Sequence, residues 1–518
     1  MLLGETLTKA ARFFAGKKAI VCGEDRFTYG ELADRVYRLA NGLNRMGIGR
    51  DGKVAVLHPN CHVFMEAYYS AAMIGAALVP INYRLSPREV AYILEDSESQ
   101  ILIASPEFKQ TVDEVLARGR GTPEILLSGK AGSYEHFLVN ASGDPPPAVS
   151  MDETTLAQIY YTSGTTGRPK GVMLSHGNVV SHALGTIAEL HLTDSGVWIH
   201  VAPMFHLADA WATWAVTWVG GTHVMVPHFE SKPVLEAIER EKVTLTNMIP
   251  TMLNLLVNEP DVGRYDSSSL RVLLSGGAPI APEVVKRIIE TFKCDYIQTY
   301  GMTETCPYLT MSILKDHLKK LPYEDQLRYK SKTGREFIGV ELKVVREDGT
   351  EVNPDDQEVG EIIVRGDIVT QGYWKLPQET QDAIRNGWLY TGDMAVMDRE
   401  GYVNIVDRKK DVILTGGENV YSTEIEYVIY THPAVLEAAV VGIPDEKWGE
   451  AVKAVVVLGA DQTATEREII EFCRESLAGY KCPKSIDFVD ALPKTGSGKI
   501  HKKKIRDGYW EGYGKKVH

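Results

Sequence analysis

Paired cysteines, long apolar runs and a surplus of positive charge are all missing from this chain, and each absence removes a class of function. Its six cysteines, at 22, 61, 294, 306, 473 and 482, are scattered and show no Cys-x-x-Cys spacing. That argues against a disulfide framework or a structural zinc site, and for a reducing compartment. No run of about 18 apolar residues occurs, so no membrane span is expected. The start, Met-Leu-Leu-Gly-Glu-Thr, has neither the basic opening nor the apolar centre of a signal peptide. Cytoplasm is the default location. A formal net charge of -13 disfavours a nucleic-acid partner. It leaves nucleotides open, because local loops rather than global charge hold them. No internal repeat or low-complexity stretch is evident.

What is present is ordinary in amount and informative in order. With 518 residues, 44% of them hydrophobic and 24% charged, the chain is long enough for two or three soluble domains. Residues 53–57, 77–81 and 100–104 read as strands, with helical patterns at 63–74 and 87–94 between them. A strand at 223–226, a helix at 233–241 and a strand at 270–274 repeat the rhythm, which predicts a parallel α/β architecture. Beyond Thr333, short strands separated by turns at 347–349, 353–355 and 398–401 suggest a β-rich subdomain. Five consecutive charges, Asp407 to Asp411, then separate two apolar runs. Such a break is expected to be solvated and marks a junction between a domain over 1–408 and another over 409–518. The second reads as a small α+β unit, with Thr423-x-x-Glu426 as a capping box and strands at 436–441 and 452–458.

The most informative stretch is Tyr160-Tyr-Thr-Ser-Gly-Thr-Thr-Gly-Arg-Pro-Lys-Gly171. Glycines let backbone N–H groups approach a polyanion, hydroxyls add donors, and Lys170 supplies a mobile positive charge. This is a loop suited to a triphosphate, flanked by strand-like runs at 156–161 and 171–174. It is not a Walker loop, because Pro169 precedes Lys170 and Gly171 follows it. Gly498-Lys499 fails the same pattern, with Ile500 after the lysine.

Taken together, the loop, Tyr300-Gly-Met-Thr-Glu-Thr305, Tyr390-Thr-Gly-Asp393, Asp407-Arg-Lys-Lys-Asp411 and Pro493-Lys-Thr-Gly-Ser-Gly-Lys-Ile500 resemble, in order, the motifs of the adenylate-forming superfamily. That group includes acyl-CoA synthetases, luciferases and peptide-synthetase adenylation domains, and the likeness runs over nearly the whole chain. The resemblance implies a large N-terminal α/β domain of stacked sheets with a β-rich subdomain, then a small mobile α+β domain. It implies an ATP- and CoA-dependent ligase that makes an acyl-AMP and then an acyl-CoA, releasing AMP and pyrophosphate. ATP, Mg²⁺ and coenzyme A are its expected cofactors. A small carboxylic acid is the expected partner, with a homodimer left open.

Residue roles follow from the same resemblance. Thr162, Ser163, Gly164, Thr165, Thr166 and Gly167, with Lys170, would hold the β- and γ-phosphates. Gly277, Ala278 and Pro279 would pass under adenine with Tyr300 on its other face, and Thr299, Gly301 and Met302 would complete the nucleotide contacts. Thr303 would touch the α-phosphate and Glu304 would ligate Mg²⁺; one carboxylate suffices when phosphate oxygens supply other ligands. Asp393 and Arg408 would take the ribose. Lys499 would bridge carboxylate and α-phosphate, the C-terminal domain would turn about Lys410, and Gly416, Gly417 and Glu418 would line the path of CoA.

The acid itself is less determined. His206, Trp211 and Gly276 are the candidate acyl contacts. His206 stands where amino-acid-activating relatives carry aspartate, which disfavours an unsubstituted α-amino acid. Trp211, Trp214 and Trp218 share one helical face, read either as core or as the wall of an apolar tunnel. Asp209 is expected to cap that helix or to meet a polar group on the acid. A medium- or long-chain fatty acid is the leading expectation, an aromatic or alicyclic acid its rival, and delivery to a carrier protein the alternative to CoA. Ser422, where many relatives have proline, is expected to loosen its turn. Asn419, where some short-chain members have arginine, puts phosphate contacts there in question.

Overall fold

The computed structural model describes residues 1–118, 123–129, 132–162, 169–278, 280, 282–459, 462–494 and 500–511. Three sheets organise them, of fourteen, seven and five strands. The fold is mixed α/β, with a large N-terminal domain and a smaller C-terminal one. In the seven-stranded sheet, Lys53–Leu57 pairs in parallel with Ala77–Pro80 and Ile101–Ala104. In the fourteen-stranded sheet, Leu245–Met248, Val272–Gly276 and Asp295–Gly301 are likewise parallel. From Tyr308–Met311 onward that sheet continues with antiparallel strands. The β-rich subdomain thus extends the sheet instead of standing apart. The strand expected at 270–274 begins two residues later, at Val272.

Helices fill the space between the two large sheets. Helix His62–Ile74 is buried on almost every side, which is why its apolar residues show no single stripe. The one carboxylate in its interior, Glu66, is enclosed with Arg35 (2.7 Å), His62 (2.8 Å) and the hydroxyl of Tyr134 (2.5 Å). Burial alone would raise its pKa; His62 and Arg35 overcome that and hold it down at about 2.

The fourteen-stranded sheet ends with Tyr402–Arg408, and the next strand, Ile413–Thr415, belongs to the five-stranded C-terminal sheet. The charged run between them is not wholly solvated as expected. Arg408, Lys409 and Lys410 are exposed, but Asp407 is buried, because alternation along the strand turns every second side chain inward. Thr423 and Glu426 form no capping box either. The helix begins at Ser422 without a side-chain cap, and the Glu426 carboxylate instead accepts from Val440 N (2.7 Å) and Lys502 Nζ (2.7 Å). Among the described residues no helix is long and apolar enough to cross a membrane, and all six cysteines are free thiols.

Candidate active site

Two clusters form around the motif residues, one bridging the seven-stranded sheet and the turn after strand Asp295–Gly301, the other within the fourteen-stranded sheet. One member, Tyr300, lies near the carboxyl end of a strand with a parallel neighbour, the kind of place where open α/β sheets bind ligands. One cluster begins at Lys170. Strands Leu156–Thr162 and Lys170–Ser175 pair antiparallel, with Thr162 opposite Lys170, so the hydroxyl- and glycine-rich loop is the turn of a hairpin. Ser163, Gly164, Thr165, Thr166 and Gly167 lie outside the described residues. The edge of this hairpin is covered by Gly372–Tyr373, which pairs with Val172 and Met173. Lys170 Nζ lies 5.4 Å from the centre of the Tyr373 ring and is ion-paired with Glu379. The Tyr373 hydroxyl donates to Glu304 Oε1 at 2.9 Å. Lys170, at the start of a strand, and Glu304, in a turn far along the chain, thus share one tyrosine.

Glu304 sits in a single 3-10 turn, Thr303–Thr305, that follows strand Asp295–Gly301. Its backbone oxygen accepts from Thr370 N at 2.7 Å. Burial raises the pKa of its carboxyl, opposed by the Tyr373 hydroxyl and the charge of Arg408, with Asp393 adding to the rise. A buried carboxylate held up in this way gains from a nearby cation. The entry to the turn needs a glycine: a Cβ on Gly301 would run into the backbone oxygen of Pro307.

The second cluster gathers Tyr300, Asp393 and Arg408. The Tyr300 hydroxyl donates to Asp393 Oδ2 at 2.7 Å, and Arg408 Nε lies 3.5 Å from Asp393 Oδ1. Strand pairing sets this up, because Asp393 and Arg408 are direct cross-strand partners. Burial first, and then the Asp393 charge, push the Tyr300 phenol well above its ordinary pKa, so it remains a neutral donor. Beside it, Thr299 Oγ1 donates to Ser275 O at 3.0 Å, packing the end of its strand against Gly276. Gly277 turns the chain with φ +88, and it and Ala278 are exposed. Pro279 lies outside the described residues. Met302 N–H donates to Pro307 O at 3.0 Å.

The candidate acyl contacts separate into different environments. His206 precedes a short helix, Leu207–Ala210, and its ring lies 4.7 Å from that of Phe205. Trp211 falls at the break before helix Ala212–Val219, and the three tryptophans have different surroundings. Trp211 is buried against Trp198 (4.8 Å) and Tyr308 (5.4 Å), with Nε1 donating to Ala208 O at 3.1 Å. Trp214 instead packs on Tyr68 and Tyr69, and Trp218 is half-buried. Asp209 caps nothing. It is fully buried, accepting from His200 Nδ1 at 2.5 Å and Trp198 Nε1 at 3.3 Å. Both of its oxygens are engaged, which removes it as a partner for the acid. The Cys306 thiol is buried and its pKa pushed far up by desolvation, so it fills space and is no nucleophile.

In the C-terminal domain, Gly416 and Gly417 make an exposed turn with positive φ between strands Ile413–Thr415 and Glu418–Val420. Gly416 N–H donates to Trp448 O at 2.8 Å, and a Cβ there would meet the Trp448 ring. Lys410 lies in the turn that links the two domains, and Lys499 lies outside the described residues. Sequence reading missed Tyr373 and Glu379. An aromatic pair beside a glycine reads as core, and nothing near residue 373 in sequence points to Glu304.

The AMP-binding enzyme family matches residues 7–374, and the AMP-binding enzyme C-terminal domain matches 424–499. A feruloyl-CoA synthase of Amycolatopsis sp. is 37% identical over 97% of this chain and 98% of its own length. A long-chain-fatty-acid–CoA ligase of Mycobacterium tuberculosis is 36% identical over 93% of each. The crystal structure of ATP-bound MatB from Rhodopseudomonas palustris superposes with a TM-score of 0.88 at 30% identity, covering 99% of this chain and 100% of that one.

Proposed function

The chain belongs to the AMP-binding enzyme family and is an AMP-forming acid–CoA ligase that works through an acyl-adenylate; from that premise we propose that its acid is compact, aromatic and hydroxyl-bearing. The chemistry needs no general base, since a carboxylate is already ionised at neutral pH. A carboxylate oxygen attacks the α-phosphorus of ATP, and the bond to the bridging oxygen breaks as pyrophosphate leaves. The CoA sulfur then attacks the acyl carbon, AMP departs, and the thiol proton goes to solvent. The protein's task is to align these groups and neutralise their charge.

In this reading Lys170 and the loop 162–167 hold the outgoing phosphates, and Asp393, Arg408 and Tyr300 take the nucleoside. Glu304 would hold Mg²⁺, which neutralises phosphate oxygens when bound. Its buried carboxylate, with one tyrosine hydroxyl as side-chain partner, suits a cation whose other ligands are phosphate and water. The observation that carries the reading is that the charges of Arg408 and Asp393 act on Glu304, which links the Lys170–Tyr373–Glu304 cluster to the Tyr300–Asp393–Arg408 cluster. Lys499 would act on the first step alone. Lys499→Ala should abolish acyl-AMP formation while leaving conversion of supplied acyl-AMP to acyl-CoA largely intact; equal loss of both steps removes that role.

The choice of acid rests on the surroundings of Trp211. Its indole is fixed by a hydrogen bond and by two large rings, which favours a short, flat acyl group over a long chain. Next to it Asn247 Nδ2 donates to Ala208 O at 2.6 Å, while Asn247 Oδ1 is buried with no partner among the described residues. An unsatisfied buried acceptor is costly, and a substrate hydroxyl would satisfy it. A medium- or long-chain fatty acid is the competing reading. Pyrophosphate release with ferulate, benzoate, butyrate and decanoate, with and without CoA, decides between them. Fastest CoA-dependent turnover with ferulate is expected, and preference for decanoate overturns the compact-acid reading. Release without any thioester product would point to another acceptor.

A further inference from the structure

The last two residues of strand Tyr402–Arg408 face opposite ways. Arg408 reaches the Asp393 carboxylate, and Asp407 reaches the C-terminal domain. Asp407 Oδ2 accepts two hydrogen bonds from one residue, Ser422, whose backbone N–H lies at 2.6 Å and whose hydroxyl lies at 2.7 Å. Both residues are buried. The same hydroxyl accepts from Lys502 Nζ at 2.8 Å, and Lys502 is ion-paired with Glu426 at 2.7 Å. Ser422 opens helix Ser422–Tyr430, and Lys502 opens helix Lys502–Trp510. Serine here is therefore not a loosened version of proline. It supplies an N–H and an O–H that proline lacks, and both go to the carboxylate at the junction.

The bonds divide cleanly at the linker. Ser422, Glu426 and Lys502 all lie beyond Lys410 and travel together, whereas Asp407 stays with the fourteen-stranded sheet. A turn of the C-terminal domain about Lys410, which the resemblance to the adenylate-forming superfamily implies, would break the Asp407–Ser422 bonds and leave the Ser422–Lys502–Glu426 contacts whole. We propose that Ser422 is a positioning residue for the two-step reaction: its paired donation to Asp407 holds the C-terminal domain in one of its two working orientations, and must be released for the other. This rests on the ligase reading above and adds a determinant of how the two steps are balanced. Charge-assisted hydrogen bonds to a buried carboxylate are strong enough for their loss to shift such a balance by an order of magnitude.

The test compares Ser422→Ala, Ser422→Thr and Ser422→Pro. Ser422 is the first residue of its helix, a position where proline is well tolerated, so the proline variant should fold, as a thermal melt would verify. Acid-dependent exchange of labelled pyrophosphate into ATP reads the first step, with whichever acid of the panel is fastest. Conversion of the matching synthetic acyl-AMP and CoA to acyl-CoA reads the second. The ratio of the two rates should change roughly ten-fold in Ser422→Pro, less in Ser422→Ala, and little in Ser422→Thr. Rates that fall together, or do not change, overturn the proposal. A second measurement needs no activity. Trypsin should cut after Lys409 or Lys410 several-fold faster in Ser422→Pro than in the parent chain, and equal cutting counts against the contact. A chain that forms no adenylate with any acid sinks the ligase reading, while the trypsin comparison still decides the Ser422 contact.

Discussion

Tyr373 serves two partners, with its ring face toward a lysine and its hydroxyl on a carboxylate. The hydroxyl favours the charged form of Glu304, opposing the burial that raises its pKa. Removing it leaves burial less opposed, so Glu304 holds its proton to higher pH. Tyr373→Phe should therefore lower kcat roughly ten-fold and move the acid limb of its pH profile upward. An unmoved limb would show that Glu304 does not need to be ionised for turnover. Glu379 presents the opposite case. Its carboxylate holds Lys170 and must yield the lysine if phosphate is to take it. Glu379→Gln should lower the KM for ATP by roughly two- to five-fold, the range expected of a partly exposed ion pair. A KM that stays the same or rises would mean that the pair orients Lys170 instead of competing for it.

At the scale of elements, close backbone approaches do much of the positioning. The strand Asp295–Gly301 and the strand Tyr308–Met311 are joined by the turn that carries Glu304, and Gly301 is where the two backbones touch. Backbone cannot move aside as a side-chain tip can. Gly301→Ala should destabilise the domain by about 3 kcal/mol and remove pyrophosphate release, as urea melts and the release assay would record. Wild-type stability would mean that the turn is softer than its geometry indicates. Short-range chemistry made much of this legible in sequence. The hairpin strands, Asp393 and the glutamate turn each carry their signal within a few residues. Tyr373 and Glu379 do not, because their partners lie far away along the chain. Asp209 was misleading for a related reason. A short acid ahead of a helix looks like a cap, and only the neighbouring strand, with His200 on it, shows that it is a buried hydrogen-bond partner. Asp407 was hidden inside a charged run by the alternation of a strand.

For the molecule as a whole, acid sensitivity should trace to the buried helix between the sheets. Glu66 has its pKa lowered to about 2, against about 4.3 for a free glutamate. A lowered carboxyl contributes stability that is fully present above its unfolded pKa and is lost as pH falls through its folded one. Glu66→Gln should cost about 3 kcal/mol near neutrality and flatten the loss of stability between about pH 4.3 and pH 2. Denaturant midpoints measured across that window would test it, and a parallel pair of curves would acquit Glu66.

The short strand Gly372–Tyr373 lies some two hundred residues downstream of the hairpin edge that it covers. During synthesis the hairpin emerges long before its cover, so a nascent chain spends that interval with a bare row of amide and carbonyl groups. Uncovered edges of this kind invite pairing with other chains. Truncated products ending before residue 372 should accordingly be found in the insoluble fraction, and chaperones that shield strand edges would matter most during that stretch of translation.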